Sequence, residues 1–202
     1  MRDYPVQVEV SSPASFERMQ LLLRIVLAIV LGWIGITAGW LVGVLFLVLP
    51  LVAAVAVSSI GTERYLTEVG PRVWRALAWL LQLSAYMLLL TDRFPARDEG
   101  QVQIYIRFTG RPTIGSALLR LLTSIPSGLV LCVLWFASAF VWLVAAGLVL
   151  LGGPLPPSLL AFQRGVLRWQ TRLVAYHASL VEAYPPFSFE TERSSGATLA
   201  VS

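Results

Sequence analysis

The chain has 202 residues, of which 57% are hydrophobic and 13% are charged, and its mean hydropathy is +0.75. These values exclude a disordered or collagen-like chain and are untypical of a water-soluble globule. The single cysteine and single histidine exclude an intramolecular disulfide framework and a cysteine–histidine zinc site. The formal charge of +4 combines 15 arginines, and no lysine, with 11 acidic residues. The composition therefore predicts an integral membrane protein, for which we expect no metal and no cofactor.

The first predicted element is a strand over residues 5–10, where valines alternate with Gln7 and Glu9. A second alternating segment over 102–108 predicts another half-buried strand. We expect the two strands to pair as a short antiparallel ribbon at the cytoplasmic surface. The apolar run after the first strand begins only near Met19 and is too long for a signal peptide, so the N-terminus should be retained.

Two long stretches contain no charged residue: 25–62, with 38 residues, and 121–163, with 43 residues. Because one membrane crossing needs about 20 apolar residues, each stretch is close to two crossings and predicts a helical hairpin. Four transmembrane helices follow, at about 19–39, 41–60, 117–138 and 140–159. The hairpin tips fall near residues 39–40 and 138–141, where there is no charge.

The hairpins return the chain to the side from which it came, so every charged residue and both termini fall on one face. An arginine-rich face opposite a charge-free face is a positive-inside signal, which predicts that the charged face is cytoplasmic. The expected location is therefore the bacterial inner membrane, with several crossings and both termini in the cytoplasm. The competing interpretation, a soluble helical bundle, has too little polar surface in these stretches.

A third helix follows each predicted hairpin, at about 66–90 and 160–182. In each of these two helices the apolar run is shorter than a membrane crossing requires. In the second of these helices, arginines recur every four residues and share one face. We expect both helices to lie in the interface, with guanidinium groups near anionic head groups and aromatic rings at the same depth. The predicted lipid-interface residues are Arg164, Arg168, Arg172, Trp169 and Tyr176 in the second helix, and Arg72, Arg75 and Trp79 in the first. The alternative is that these helices cross as well, which would invert the two halves.

The chain also resembles itself. Leu22-Leu23-Arg24 recurs as Leu118-Leu119-Arg120, an offset of 96 residues. At an offset of 90 the first half again matches the second: Trp79, Ala85-Tyr86, Asp92, Phe94 and Pro95 correspond to Trp169, Ala175-Tyr176, Glu182, Tyr184 and Pro185. This self-similarity predicts two tandem units.

The predicted fold class is thus an all-α integral membrane protein with short β-strands. Residues 1–97 and 98–189 would each form a strand, a helical hairpin and an interfacial amphipathic helix, and 190–202 would be a disordered tail. Because each unit crosses an even number of times, the units should be related by an axis along the membrane normal.

The second unit carries the motifs of a known family. They are Gly165-Val166-Leu167-Arg168-Trp169, Arg172, Ala175-Tyr176 and Tyr184-Pro185-Pro186-Phe187, with Tyr4-Pro5 at the start of the first unit. With these motifs the chain, from Tyr4 to about Phe189, resembles the bacterial membrane family known as domain-of-unknown-function family 4389. The first unit departs from the pattern, since Arg168 has Ala78 opposite it and Gly165 has Arg75. The resemblance implies membrane residence in a bacterium and brings no catalytic residue.

Catalytic chemistry has few candidates. His177, Ser179 and Glu182 lie close in sequence, but neighbours on one short helix do not converge on one substrate atom. Cys132 has no second thiol and is expected to fill apolar space. We therefore assign no catalytic residue and expect the protein not to be an enzyme.

Gly35, Gly39 and Gly43 have the small-xxx-small spacing that lets helices approach closely in lipid. The same glycines flank the predicted first hairpin tip, so they serve either helix packing or the turn. No acidic or basic residue lies inside either apolar stretch, which disfavours ion-coupled transport.

The leading functional hypothesis is a non-enzymatic scaffold or accessory subunit whose arginine-rich face contacts anionic lipid and a protein partner or a second copy. The alternative is a small oligomeric channel or a lipid-handling transporter. Nucleic acid is not an expected partner, because the basic residues lie beside membrane helices, where lipid phosphate is the available anion.

Overall fold

The computed structural model describes residues 4–33, 38–95 and 102–186. The elements in chain order are β1 (Val6–Val10), α1 (Arg18–Trp33), α2 (Ala38–Arg64), a π-helical turn (Tyr65–Val69), α3 (Gly70–Met87), β2 (Val102–Ile106), α4 (Ile114–Thr123), α5 (Ile125–Leu151) and α6 (Pro157–His177). Two stretches of helix are long and apolar enough to cross a membrane by length and composition, Gly43–Met87 and Ile125–Leu151. The chain is thus mostly helical with two short strands, as its composition and periodicity predict.

The predicted ribbon is confirmed. β1 and β2 pair antiparallel, with Val8 opposite Ile104 at the centre and Val6 opposite Ile106 at one end. The alternation works as expected, because Val6 and Val8 point inward and are buried, whereas Glu9 lies on the outer face and is exposed. α6 packs against β1 and α3 packs against β2, which gives the small ribbon the support that two strands need.

The first apolar stretch is divided between two helices whose main helical partners lie in the other half of the chain. α1 packs along the C-terminal part of α5, where Leu21 joins a buried cluster with Ala145 and Val149. α2 packs along α4, and the Thr62 hydroxyl donates to the Pro112 carbonyl at 2.7 Å. The predicted tip at 39–40 lies within α2, and residues 34–37, between the two helices, are outside the described residues.

The predicted turn of the second hairpin, at 138–141, is wrong. α5 runs without interruption through residues 138–141, where the turn was expected. The absence of charge defines the apolar stretch, but a turn also needs residues that end a helix, and none lies there. Those residues come later: α5 ends at Gly152, whose φ of 77° is left-handed, and Pro154 follows.

A second glycine has the same backbone role at the end of the first long helix. Gly61 has a φ of 82° and a ψ of 164°, so the helical path is broken there before the chain continues into α3. Left-handed φ values favour glycine, because other residues carry a Cβ that clashes in this region.

α6 lies at the centre of the fold. It contacts α2, α3, α4, α5 and β1, and most of its side chains between Gln163 and His177 are buried. The expectation that this helix exposes its side chains to lipid is therefore corrected, because it is enclosed by the protein; its placement in the interface stays a prediction. The helical pattern showed an arginine face, but it could not show that the ribbon covers that face.

Gly110 gives a direct test of how the loop after β2 joins the core. The amides of Thr109 and Gly110 both donate to the Leu180 carbonyl, at 3.1 and 3.0 Å. A Cβ on Gly110 would overlap the Ser179 carbonyl oxygen, which belongs to the backbone and cannot swing away. We expect Gly110→Ala to lower the free energy of unfolding by about 2 kcal/mol, the range of overpacked core sites.

The matched control is Gly115→Ala in α4, where a Cβ meets no atom within 4 Å. Alanine favours helix over glycine, so this variant should be neutral or slightly stabilising. Thermal unfolding in detergent compares the two. Equal melting temperatures would contradict the close approach at Gly110.

Candidate functional site

The first candidate site surrounds Arg24, a fully buried arginine on an apolar helix. Its Nη2 donates to the carbonyl of Thr91 and to Oδ1 of Asp92, the latter at 2.9 Å. The guanidinium carbon also lies 4.3 Å from the centre of the Tyr86 ring, within the range of a cation–π contact. Phe94 meets the same ring edge to face at 5.5 Å.

The end of α3 creates the acceptors of this site. After the helix, Leu89 takes a left-handed φ of 57° and the Leu90 amide donates back to the Ala85 carbonyl. This turn presents the Thr91 carbonyl and the Asp92 carboxylate to α1. Asp92 then uses its second oxygen, Oδ2, to accept the Glu17 amide at 2.8 Å, just before α1 begins. One carboxylate thus fixes both the start of α1 and its buried arginine.

The second candidate site surrounds Arg120 on α4, which is 5% exposed. Its Nη1 donates to the carbonyls of Tyr176 and Val181, the latter at 2.7 Å. The guanidinium carbon lies 4.4 Å from the centre of the Tyr176 ring. Tyr184 packs against that ring edge to face at 5.4 Å.

The end of α6 builds this site by the same backbone turn. Ser179 takes a left-handed φ of 59°, and the Leu180 amide donates back to the Ala175 carbonyl. Two tyrosine hydroxyls also bond to the backbone that follows α6: Tyr65 donates to the Ala178 carbonyl and Tyr4 donates to the Ala183 carbonyl. Burial raises the pKa of Tyr4 against the opposing effect of nearby arginines, so its phenol stays neutral and donates.

The two sites differ in their counter-charge. Asp92 forms an ion pair with Arg24, whereas the corresponding residue of the second site, Glu182, is exposed. In the part of the chain that the structure describes, no carboxylate lies within ion-pair distance of Arg120. Arg120 is held instead by backbone carbonyls and an aromatic face. Both arginines are enclosed, so they hold helix ends together and do not contact a ligand from solvent.

Leu22-Leu23-Arg24 and Leu118-Leu119-Arg120 match as segments of the sequence, but their repetition alone indicates no role for the two arginines. The available signal was a lone arginine just before a long apolar stretch, since such a charge must find buried partners or reach the interface. The partners themselves left little trace in the sequence, because most are backbone carbonyls.

The predicted lipid-interface residues of α6 lie mostly inside the protein. Trp169, Arg172 and Tyr176 are 4%, 5% and 9% exposed, so the expectation that they face lipid is corrected. Arg164 and Arg168 are half-buried. Trp169 packs against α5 and Tyr176 lies against Arg120 of α4, whereas the arginines face the start of the chain.

The arginines of α6 contact the start of the chain. Arg164 donates to the Ser12 hydroxyl at 2.9 Å, and Arg172 lies 5.4 Å from the Tyr4 ring. Burial, followed by the charges of Arg172 and Arg164, lowers the pKa of Arg168. This arrangement concentrates positive charge between α6 and the segment that follows β1.

The predicted interface residues of α3 are on the surface. Arg72 and Arg75 are exposed, and Trp79 is 46% exposed while its indole nitrogen donates to the Pro95 carbonyl at 3.3 Å. Of the predicted packing glycines, Gly35 is outside the described residues and Gly39 lies within α2.

The third packing glycine, Gly43, is exposed on α2, and a Cβ built on it would meet no atom within 4 Å. Its surface is therefore open within the single chain. The predicted close helix approach at this glycine is not made by another part of the described chain.

His177 is buried, and its Nε2 lies 2.7 Å from the Phe46 carbonyl. Burial lowers the pKa of His177 to about 4, more than the hydrogen bond to Phe46 raises it, so the ring is neutral and Nε2–H donates. Its ring stacks on Phe46 at 4.0 Å, beside a cavity of about 30 Å³ that Gln170 and apolar side chains line. This is the geometry of a packed core histidine, whereas Glu182 is exposed.

Within residues 4–33, 38–95 and 102–186, no group of three or more histidine, cysteine or acidic residues is arranged to hold a metal ion. Comparison with curated proteins and with solved structures finds no match to this chain. A family model described as "Domain of unknown function (DUF4389)" matches residues 115–188 as one copy. The matched segment contains α4, α5 and α6 almost completely, and with them the Arg120 site, so the chain is similar to this family over its second half.

Proposed function

We propose that this protein is a non-enzymatic scaffold or accessory subunit embedded in the bacterial inner membrane. The observation that carries the proposal is the surface of α5, where Leu129, Phe136 and Leu143 are each more than 60% exposed. An apolar surface of this extent marks a membrane or protein interface. The buried arginines, meanwhile, are used for internal bonds and present no chemistry to a substrate.

The architecture proposed for this scaffold is a tandem duplication of units 1–97 and 98–189. It is supported by the two arginine sites, in which the arginines are 96 residues apart and the tyrosines 90 apart. It is also supported by the ribbon register, because Val8 lies opposite Ile104, its own counterpart at an offset of 96. A two-fold axis through that pair would exchange the two units.

The proposed orientation places the charged face and both termini in the cytoplasm. It is supported by the exposed Arg72 and Arg75 of α3, which lie on the same helix as the exposed ring of Trp79. Arginine and tryptophan on one helix suit contact with anionic head groups. A protein partner or a second copy would bind the remaining apolar surface, where Gly43 offers an open position for another helix.

The lipid contact predicts a specific loss. In the Arg72→Gln, Arg75→Gln double variant, each lost charge removes about 1 kcal/mol of attraction to anionic lipid. Polymer-excised membrane discs, analysed by mass spectrometry, should therefore retain at least twofold less anionic lipid around the variant than around the wild type. Arg107→Gln, an exposed arginine just beyond β2, is the matched control and should leave the lipid composition unchanged.

The same purified discs test the proposal that the protein is a scaffold or accessory subunit. A partner recovered at fixed stoichiometry supports an accessory subunit. Ion flux or lipid scrambling by the purified protein alone in liposomes would contradict it and favour the channel or lipid-transporter alternative. Unchanged lipid composition in the double variant would contradict the arginine contact.

A further inference from the structure

We infer that α4 and α5 lie along the membrane within one leaflet, and that their exposed apolar stripe docks against lipid acyl chains over its whole length. The inference rests on the proposed membrane residence and specifies how that residence is achieved. In this arrangement α5 does not cross the membrane, and only its exposed side is embedded in lipid. The ribbon, with the arginines of α6, then stays on the aqueous side.

The stripe occupies one side of the two helices. Its exposed members recur at intervals of three or four residues, with one final interval of seven: Leu118, Leu122, Ile125, Leu129, Val133, Phe136, Phe140, Leu143 and Leu150. The opposite side of α5 is buried, with Leu131 3%, Ser138 2% and Val149 3% exposed. A helix of nearly uniform apolar composition thus has two distinct faces, of which only one is available to lipid.

The stripe is longer than the membrane is thick. From Ile125 to Leu150, α5 alone is about 38 Å long. The hydrocarbon core is about 30 Å thick, so an upright crossing would leave about a fifth of this part of the stripe outside it. Along the membrane plane the entire stripe can be covered.

Neutral polar side chains meet at the middle of α5, and an arginine follows them in the sequence of α6. Ser138, at the midpoint of the helix, donates its hydroxyl to Oε1 of Gln163, whose amide returns a bond to the Ser138 carbonyl at 3.2 Å. The next residue, Arg164, donates to Ser12. If α5 crossed the bilayer, its midpoint would carry these groups to the bilayer centre, where charged side chains are rare and costly.

The position of the ribbon also disfavours a crossing α5, because the ribbon has open backbone edges. Leu167 of α6, one helix turn from Arg164, belongs to the same buried cluster as Val8 and Val102 of the ribbon. A crossing α5 would therefore hold a two-stranded sheet at membrane depth, with the exposed Glu9 on its outer face. Open sheet edges do not occur in the hydrocarbon region, because their backbone groups lack partners. Placing α5 along the membrane keeps the ribbon in water.

Depth measurements by spin labelling separate the two orientations. In a Cys132→Ser background, single cysteines replace Leu129, Phe136, Leu143 and Leu150, which lie seven residues apart on the exposed stripe. Leu129 and Leu150 are about 32 Å apart along the helix, close to the full hydrocarbon thickness. Glu9→Cys on the outer face of the ribbon is the aqueous control.

In vesicles, we expect the four stripe labels to show one depth, with equal relaxation by oxygen and equal protection from a water-soluble nickel complex. The Glu9→Cys label should be relaxed by nickel. A profile with maximum depth near residues 136–143 and water access at the ends would overturn the inference but leave membrane residence intact. Water access at all four stripe positions, with loss of vesicle association, would overturn membrane residence as well.

Discussion

Replacing Arg120 with leucine is expected to lower the free energy of unfolding by about 4 kcal/mol. The guanidinium donates to the carbonyls of Tyr176 and Val181, and bonds from a charged donor contribute about 1.5–3 kcal/mol each. Leucine fills part of the space but leaves the Val181 carbonyl without its guanidinium donor, while the Tyr176 carbonyl keeps its bond from the Ser179 amide at 2.9 Å. The stacking of the guanidinium on Tyr176 is lost as well.

Unfolding in mixed micelles, followed by tryptophan fluorescence, measures this loss. Arg111→Leu is the matched control, because Arg111 is exposed just before α4 and its replacement should change stability by less than about 0.5 kcal/mol. Arg120→Lys should fall between wild type and leucine, since an ammonium keeps the charge but lacks the planar fork. Stability of Arg120→Leu within 1 kcal/mol of the wild type would show that the site does not hold α4 to the end of α6.

The elements that depend on local periodicity were predicted from the sequence. Alternation around Val8 and Ile104 predicted both strands, and their antiparallel pairing followed from the similarity of the two segments. The helical character of the apolar stretches also followed from composition, although the helix bounds did not. Such patterns are readable because each residue's environment is set mainly by its near neighbours along the chain.

The turns and the partners of the helices were not predictable in the same way. Absence of charge said where the chain is apolar, yet α5 passes straight through the expected turn and ends only at Gly152. Glycine and proline after the apolar stretch were the better signal, because they end helices whatever the surrounding hydrophobicity.

The arginine stripe of α6 was misassigned for a tertiary reason. Arg164, Arg168 and Arg172 do share a helix face, but that face contacts the first residues of the chain through Ser12 and Tyr4. The periodicity of a sequence separates the faces of a helix but does not predict which other element packs on each face. The arginines that hold the fold together, Arg24 and Arg120, were visible only as parts of a repeated segment.

The second prediction concerns the ion pair of the first site. Asp92→Asn is expected to lower the free energy of unfolding by about 3 kcal/mol, because Arg24 is fully buried and loses the carboxylate that neutralises it. Removing one partner of a buried pair costs about 3–5 kcal/mol, and the partial exposure of Asp92 places the effect at the lower end. Asparagine can still accept the Glu17 amide, so the start of α1 keeps its capping bond and the loss reports mainly on charge.

Glu182→Gln is the matched control, since Glu182 corresponds to Asp92 at an offset of 90 but is exposed. We expect it to change stability by less than about 0.5 kcal/mol, because the second site relies on carbonyls and the Tyr176 ring. The double variant Arg24→Leu, Asp92→Asn should recover part of the loss, since no buried charge remains to be neutralised. Equal effects of Asp92→Asn and Glu182→Gln would contradict this difference between the sites. If instead the double variant is no more stable than Asp92→Asn, the loss arises from packing and not from the unpaired charge of Arg24.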